Sequence, residues 1–258
     1  MVLAKKALGQ HFLSDPNILK RIVDFSQVGP ADQVLEIGPG KGTLTQVIAE
    51  RASRVVAIEI DHSLFKFLSS TFQQKNIEVL EQDALDVNFD AILPSPYHLV
   101  SNLPYNITSP LLERLIGYRK SILSVTVMIQ AEVADRILAK PGSREYSPLS
   151  IGIQYYAHVE SGFKVPPGAF TPRPKVHSKV IRLTWRNGVI EAPALMTFVK
   201  QTFSSRRKKL INNLCAMYRT KSRANLLSKL SASGIDTDAR PENLSVDDYI
   251  ILFKALGN

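Results

Sequence analysis

Val34-Leu35-Glu36-Ile37-Gly38-Pro39-Gly40-Lys41-Gly42 is the stretch that decides the fold. An apolar run gives way to a glycine-rich bend, and residues 43–51 after it place Leu44, Val47 and Ile48 on one helical face. Strand, bend and helix in that order open a β-α unit, and glycines at the bend let the backbone approach a ligand without a β-carbon in the way. The pattern repeats outward. Strands are predicted at 54–60, 77–80, 98–101 and 123–129, and helices at 64–72, 110–116, 132–138 and 148–156. Short apolar strands alternating with amphipathic stretches predict an α/β, Rossmann-like domain, a mostly parallel sheet flanked by helices. Residues 158–165 and 175–185 are strand-like and flank the proline-rich 166–174, which predicts a closing hairpin. Past the turn signal Asn187-Gly188 only helical periodicity remains. Leu195, Phe198, Val199 and Phe203 share one face, Leu210, Leu214 and Met217 another, and Ser245 with Asp248 resembles a capping box. The expected domains are 1–187, α/β, and 188–258, small and all-helical.

Composition bounds the function. Thirty-two Lys and Arg against 23 Asp and Glu leave a net charge of +9 over 258 residues, which favours a polyanionic partner. The single Cys215 excludes an internal disulfide and a zinc site built on several thiolates. His62, His98, His158 and His177 show no metal-ligand spacing, so no metal is expected. Residues 1–13 lack the continuous apolar core of a signal peptide. The longest charge-free run, 91–112, contains Pro94, Pro96, Pro104 and Pro110 and reads as loop and strand. A soluble, cytoplasmic protein is expected.

Three strand ends carry the chemistry. Glu59 closes the second strand, 17 positions after Gly42, near the separation at which a carboxylate accepts from both hydroxyls of a ribose. Asp83 follows the third strand, where it can accept from an adenine amino group. With Gly38 and Gly40 these acids predict an adenosine-type cofactor, without deciding between hydride and methyl transfer. The fourth strand decides. It ends in Asn102-Leu103-Pro104-Tyr105, where open α/β sheets keep their reactive groups. An exocyclic amino nitrogen is a poor nucleophile because its lone pair is delocalised into the ring. The Asn102 side-chain oxygen and a backbone carbonyl of Leu103 or Pro104 can each accept one amino proton, localising that pair and stabilising the charge that grows on nitrogen. Tyr105 offers a ring on which the base can stack.

With these motifs in hand, the chain closely resembles the ribosomal RNA adenine dimethyltransferase family, specifically its small-subunit members. The resemblance runs nearly end to end. It is carried by Gly9-Gln10-His11-Phe12-Leu13, Glu36-Ile37-Gly38-Pro39-Gly40, Asn102-Leu103-Pro104-Tyr105-Asn106, Gln130-Ala131-Glu132-Val133-Ala134 and Phe170-Thr171-Pro172-Arg173-Pro174-Lys175-Val176. It implies that His11, Leu13, Gly38, Glu59, Asp83 and Asn102 line an S-adenosylmethionine pocket in the first domain. The family often has Asn where His11 stands. Phe170, by the same resemblance, helps Tyr105 sandwich a flipped base. The implied reaction is dimethylation of two neighbouring adenosines near the 3′ end of small-subunit (16S) ribosomal RNA, by a monomer acting on the small ribosomal subunit. Two rivals share the fold: a large-subunit adenine methyltransferase of the macrolide-resistance type, and a non-catalytic RNA- or DNA-binding assembly factor. Arg240-Pro241-Glu242-Asn243-Leu244-Ser245 resembles the small-subunit branch, and the intact Glu59, Asp83 and Asn102 set speaks for an enzyme.

The RNA-binding surface is expected in the second domain. Lys200, Arg206, Arg207, Lys208, Lys209, Arg219, Lys221, Arg223 and Lys229 fall in a segment with no Asp or Glu between Phe198 and Leu230. Such charges contact phosphates and set register without reading sequence. Lys5, Lys6, Lys20 and Arg21 extend the expected surface.

Overall fold

The computed structural model of the chain describes residues 10–73 and 76–257. Lys5, Lys6 and Gly9 lie outside the described residues. The chain divides into two compact units, residues 1–134 with 157–185, and residues 135–156 with 186–258.

The first unit is built on a seven-stranded sheet. In chain order its strands are β2 (Gln33–Ile37), β3 (Arg54–Glu59), β4 (Ile77–Glu81), β5 (Tyr97–Asn102), β6 (Ile122–Gln130), β7 (Ala157–Val165) and β9 (Ser178–Trp185). Their spatial order is β4-β3-β2-β5-β6-β9-β7. The first five are parallel, and β9 pairs antiparallel with β6 and with β7, which is the expected closing hairpin. Strands β2 and β3 are buried along nearly their whole length, as continuous Val, Leu and Ile runs require in a sheet covered on both faces. Helices α2 (Thr43–Ala49), α3 (His62–Thr71) and α4 (Thr108–Leu115) connect the parallel strands. The order reverses at β2, with β3 on one side and β5 on the other, so a crevice opens beyond its carboxyl end.

One helix escaped the sequence reading. α1 (Pro16–Ser26) starts where Asp15 accepts hydrogen bonds from the backbone N–H groups of Asn17 and Ile18, with Pro16 in the first turn. Its Ile18, Leu19, Ile22 and Val23 pack with Val34, Ile48 and Val100 in one buried cluster. Ahead of it, β1 (Phe12–Leu13) pairs antiparallel with β8 (Phe170–Thr171), a two-residue ribbon apart from the main sheet.

The second unit is helical: α6 (Pro148–Tyr156), α7 (Pro193–Thr202), α8 (Leu210–Met217), α9 (Arg223–Ala232) and α10 (Val246–Ala255). It differs from a single cut after residue 187, because residues 135–156, at the end of which lies α6, group with the C-terminal helices. The reason is packing: Ile151 and Tyr146 belong to the same buried cluster as Leu195, Phe198, Leu214, Leu230 and Leu252. The chain leaves the sheet through α5 (Ala131–Leu138) and returns at β7. The capping box at Ser245 and Asp248 is formed, Ser245 Oγ accepting from Asp248 N at 3.1 Å and Asp248 Oδ2 from Ser245 N at 2.8 Å. No helix among the described residues is long and apolar enough to cross a membrane.

Candidate active site

The pocket lies at the switch point of the sheet, and the first unit supplies all of its walls. The Gly38 to Lys41 bend forms its floor. Gly38 has φ +68° and Gly40 φ +58°, in the left-handed region that disfavours a side chain. Space is short as well: a β-carbon on Gly40 would stand 2.9 Å from the Phe12 ring, and one on Gly38 3.1 Å from Pro104. These glycines therefore serve the packing of β1 and of the Asn102-Pro104 corner onto the bend, in addition to any approach by a ligand.

Acidic acceptors line the walls. Glu59, 4% exposed, spreads its carboxylate between two backbone donors, Gly40 N at 3.4 Å and Asp61 N at 2.9 Å. Burial lifts its pKa above the usual carboxylate value, and those donors oppose the rise. Asp83 accepts from Leu85 N through Oδ1 at 2.8 Å, an Asx turn that fixes the carboxylate at the pocket wall. Glu36, mid-motif and 1% exposed, is a wall residue that sequence reasoning quoted but gave no role. Its Oε2 has no hydrogen-bond partner among the described residues. Burial, with Glu59's charge adding to it, pushes its pKa up to about 8. An acid inside the otherwise apolar run 34–37 was the available signal.

A proton held in the folded state and lost in the unfolded one has a stability signature. A carboxyl with a raised folded pKa stabilises the fold fully below its ordinary 4.5, and that contribution is lost as pH climbs to about 8. The gap corresponds to roughly 5 kcal/mol at about 1.4 kcal/mol per pH unit. Glu36→Gln is expected to flatten the fall in melting temperature between pH 5 and pH 8 in the ligand-free protein, with Glu59 still adding to the fall and the lowered His98 pKa opposing it. A profile that the substitution leaves unchanged contradicts a buried neutral acid.

The fourth-strand corner closes the pocket. Asn102 Nδ2 donates to the His11 carbonyl at 3.3 Å, which leaves Oδ1 as the side chain's acceptor. The Pro104 carbonyl already accepts from Thr108 Oγ1 at 3.1 Å and from Ile107 N at 3.3 Å. Of the two carbonyls open from sequence, that of Leu103 is therefore the one with accepting capacity to spare. Tyr105 OH and Ser178 Oγ share a 2.6 Å hydrogen bond, and burial raises the Tyr105 pKa.

The ring beside Tyr105 is His11, with centroids 5.5 Å apart and planes tilted by 32°. His11 Nδ1 lies 2.8 Å from the Pro172 carbonyl, which only accepts, so Nδ1 carries the proton. Leu13 lines the wall and its carbonyl accepts from Thr43 Oγ1 at 2.8 Å. Phe170 stands elsewhere. It is 2% exposed and packed with Leu13, Leu19 and Val165 in the core, so its ring offers no open face for a sandwich with Tyr105. The sequence motif fixed its proximity, through β8 against β1, but a ring that large and apolar is held by the core.

In the helical unit the nine cations divide by use. Lys221 and Lys229 donate to the carbonyls of Leu256 and Ala255 at the end of α10, where cations offset the helix dipole. Arg206 donates to the carbonyls of Ser143 and Arg144 and lies 3.8 Å from Glu242. Lys209 pairs with Asp238 at 2.6 Å, and Arg223 donates to Asn212 Oδ1 at 3.1 Å. Lys200, Arg207, Lys208 and Arg219 are exposed.

Comparison with known proteins follows the same lines. The family model described as ribosomal RNA adenine dimethylase matches residues 1–258. A protein of Levilactobacillus brevis named ribosomal RNA small subunit methyltransferase A is 43% identical over 270 residues, covering 100% of this chain and 91% of that one. A namesake from Bacillus cytotoxicus is 40% identical over 265 residues, covering 98% and 91%. Among solved structures, a dimethyladenosine transferase from Plasmodium falciparum superposes with a TM-score of 0.80 at 27% identity, over 94% of this chain and 96% of that one. The 23S rRNA methyltransferase ErmE gives 0.73, also at 27% identity, over 96% and 100%. With a match that spans every residue and relatives at 40% identity or more over nearly their full length, the chain belongs to the ribosomal RNA adenine dimethylase family.

Proposed function

We propose that this protein is the S-adenosylmethionine-dependent enzyme that dimethylates adjacent adenosines near the 3′ end of small-subunit ribosomal RNA. The observation that carries the reading is the pair of acceptors at the end of β5, Asn102 Oδ1 and the Leu103 carbonyl, set beside a pocket whose buried acids face it from β2 and β3.

The donor set fits the cofactor. S-adenosylmethionine offers an ammonium, two ribose hydroxyls and an adenine amino group, all hydrogen-bond donors, and the walls present Glu36, Glu59 and Asp83 as acceptors. Glu59 takes the ribose hydroxyls, Asp83 the adenine amino group, and Gly38, Gly40, His11 and Leu13 enclose the rest. Bound there, the cofactor supplies an electrophilic methyl group on a sulfonium. Asn102 Oδ1 and the Leu103 carbonyl accept the two protons of the target amine, which turns its lone pair out of the ring plane and stabilises the positive charge that develops. One of those protons then leaves to solvent. Tyr105, held by Ser178, stacks on the flipped base, with His11 as the neighbouring ring. The protein acts as a monomer. The small ribosomal subunit is the partner, and the cytoplasm of a bacterium the setting.

Phosphate contacts of the helical unit fall to the exposed Arg207, Lys208 and Arg219. Arg207→Glu with Lys208→Glu is expected to make the dependence of RNA affinity on salt shallower by about 1.5 to 2 in log-log slope. An unchanged slope, measured by filter binding between low and physiological salt, would place this face away from RNA. The function itself is tested with labelled S-adenosylmethionine and unmethylated small or large subunits, followed by mapping of the modified base. Dimethyladenosine near the 3′ end of the small-subunit RNA is the expected product. Label confined to large subunits would move the enzyme to the rival branch of the fold.

A further inference from the structure

Thr171-Pro172-Arg173-Pro174-Lys175-Val176-His177 meets the pocket wall at His11, and neither the cofactor site nor the helical cations account for it. Its backbone is tied down along its length. Thr171 pairs with Phe12, the Pro172 carbonyl meets His11 Nδ1 at 2.8 Å, and the His177 carbonyl accepts from Ala131 N at 2.9 Å. The next residue, Ser178, holds Tyr105. Two of these ties end on His11 and Tyr105, the ring pair of the pocket wall. Two prolines restrict the chain further, and Pro174 is buried, so the segment is ordered at little additional entropic cost. Arg173 and Lys175, on either side of that buried proline, are both exposed. No Asp or Glu occurs between Glu160 and Glu191 to offset them in sequence.

We propose that Arg173 and Lys175 clamp the backbone phosphates that flank the target adenosine, an RNA contact at the pocket mouth distinct from the basic face of the helical unit. A base rotated out of its stack carries its own sugar and flanking phosphates to the mouth of the pocket that receives it. Those charges need cations held near the pocket, and a segment whose backbone is tied to His11, and through Ser178 to Tyr105, supplies them. The clamp rests on the reading of the pocket as an RNA adenine site.

The test uses the full chain, unmethylated small subunits and S-adenosylmethionine across a salt series. Arg173→Gln with Lys175→Gln is expected to lower kcat/KM for subunits about tenfold and to make its salt slope shallower by about 1.5, one phosphate per cation. Cofactor affinity and melting temperature stay at wild-type values. Arg173→Lys with Lys175→Arg restores both kcat/KM and slope, since the contact needs charge. The clamp is overturned if the glutamine pair keeps wild-type kcat/KM and slope, or if the charge-conserving swap fails to rescue. A wild-type enzyme that transfers no methyl to subunits defeats the functional reading itself and takes the clamp down with it, whereas the first two outcomes sink the clamp alone.

Discussion

Asn102→Ala lowers the rate of methyl transfer about 10² to 10³-fold, the cost of removing one preorganised hydrogen-bonding group aimed at a developing charge. The reason lies in how the amide is committed. Its Nδ2 is spent on the His11 carbonyl, so Oδ1 is the atom left to accept an amino proton. Without it the target nitrogen keeps its lone pair in the ring, and the positive charge of the transition state has one partner instead of two. RNA affinity is expected to change little, because base stacking on Tyr105 and the phosphate contacts remain. Single-turnover methylation with saturating subunits separates the chemical step from binding. Full activity in that variant would remove the mechanism.

Glu59→Ala raises the dissociation constant for S-adenosylmethionine by about 10²-fold or more, since hydrogen bonds to a charged acceptor contribute roughly 1.5 to 3 kcal/mol each and two ribose hydroxyls lose theirs. Part of the loss comes through the bend, because Glu59 also receives Gly40 N and Asp61 N. Glu59→Gln, which keeps one accepting oxygen, falls between. The wild-type affinity carries a pH signature as well. The carboxylate form is the one that accepts from both hydroxyls, and burial raises the Glu59 pKa, so affinity weakens on acidification at a pH above the usual carboxylate range. Calorimetric titration from pH 8 downward reads both effects. An affinity equal to wild type in the alanine variant would show that the ribose lies elsewhere.

What the sequence disclosed, and what it hid, divides along a physical line. The bend at Gly38, the acid at Glu59 and the Asn102 corner were legible because each ends a parallel strand, and strand ends on one side of a switch point converge whatever lies between them. The rest depends on contacts distant in sequence. Helix α1 carries a readable signal, Asp15-Pro16 followed by Ile18, Leu19, Ile22 and Val23, but it precedes the first strand and belongs to no β-α repeat. Phe170 reads as a stacking ring from its motif, yet its burial is decided by Leu13, Leu19 and Val165, of which two are over 150 positions away. His11 meets Tyr105 only because β1 pairs with β8. Charge runs mislead in a similar way. Lys221 and Lys229 read as phosphate contacts until the end of α10 is seen to need them, a role that no local pattern reveals. Residues 135–156 were assigned by chain order, whereas Ile151 is placed by the helices it packs against.

A crystal structure with S-adenosylmethionine and a short RNA carrying the target adenosines gives the most direct measurement. The expected result is the ribose on Glu59, the adenine amine between Asn102 Oδ1 and the Leu103 carbonyl, and its nitrogen about 3 to 3.5 Å from the sulfonium methyl, the separation of a near-attack geometry. A methyl donor bound away from the Gly38 bend, or an amine that touches neither acceptor, would contradict the account.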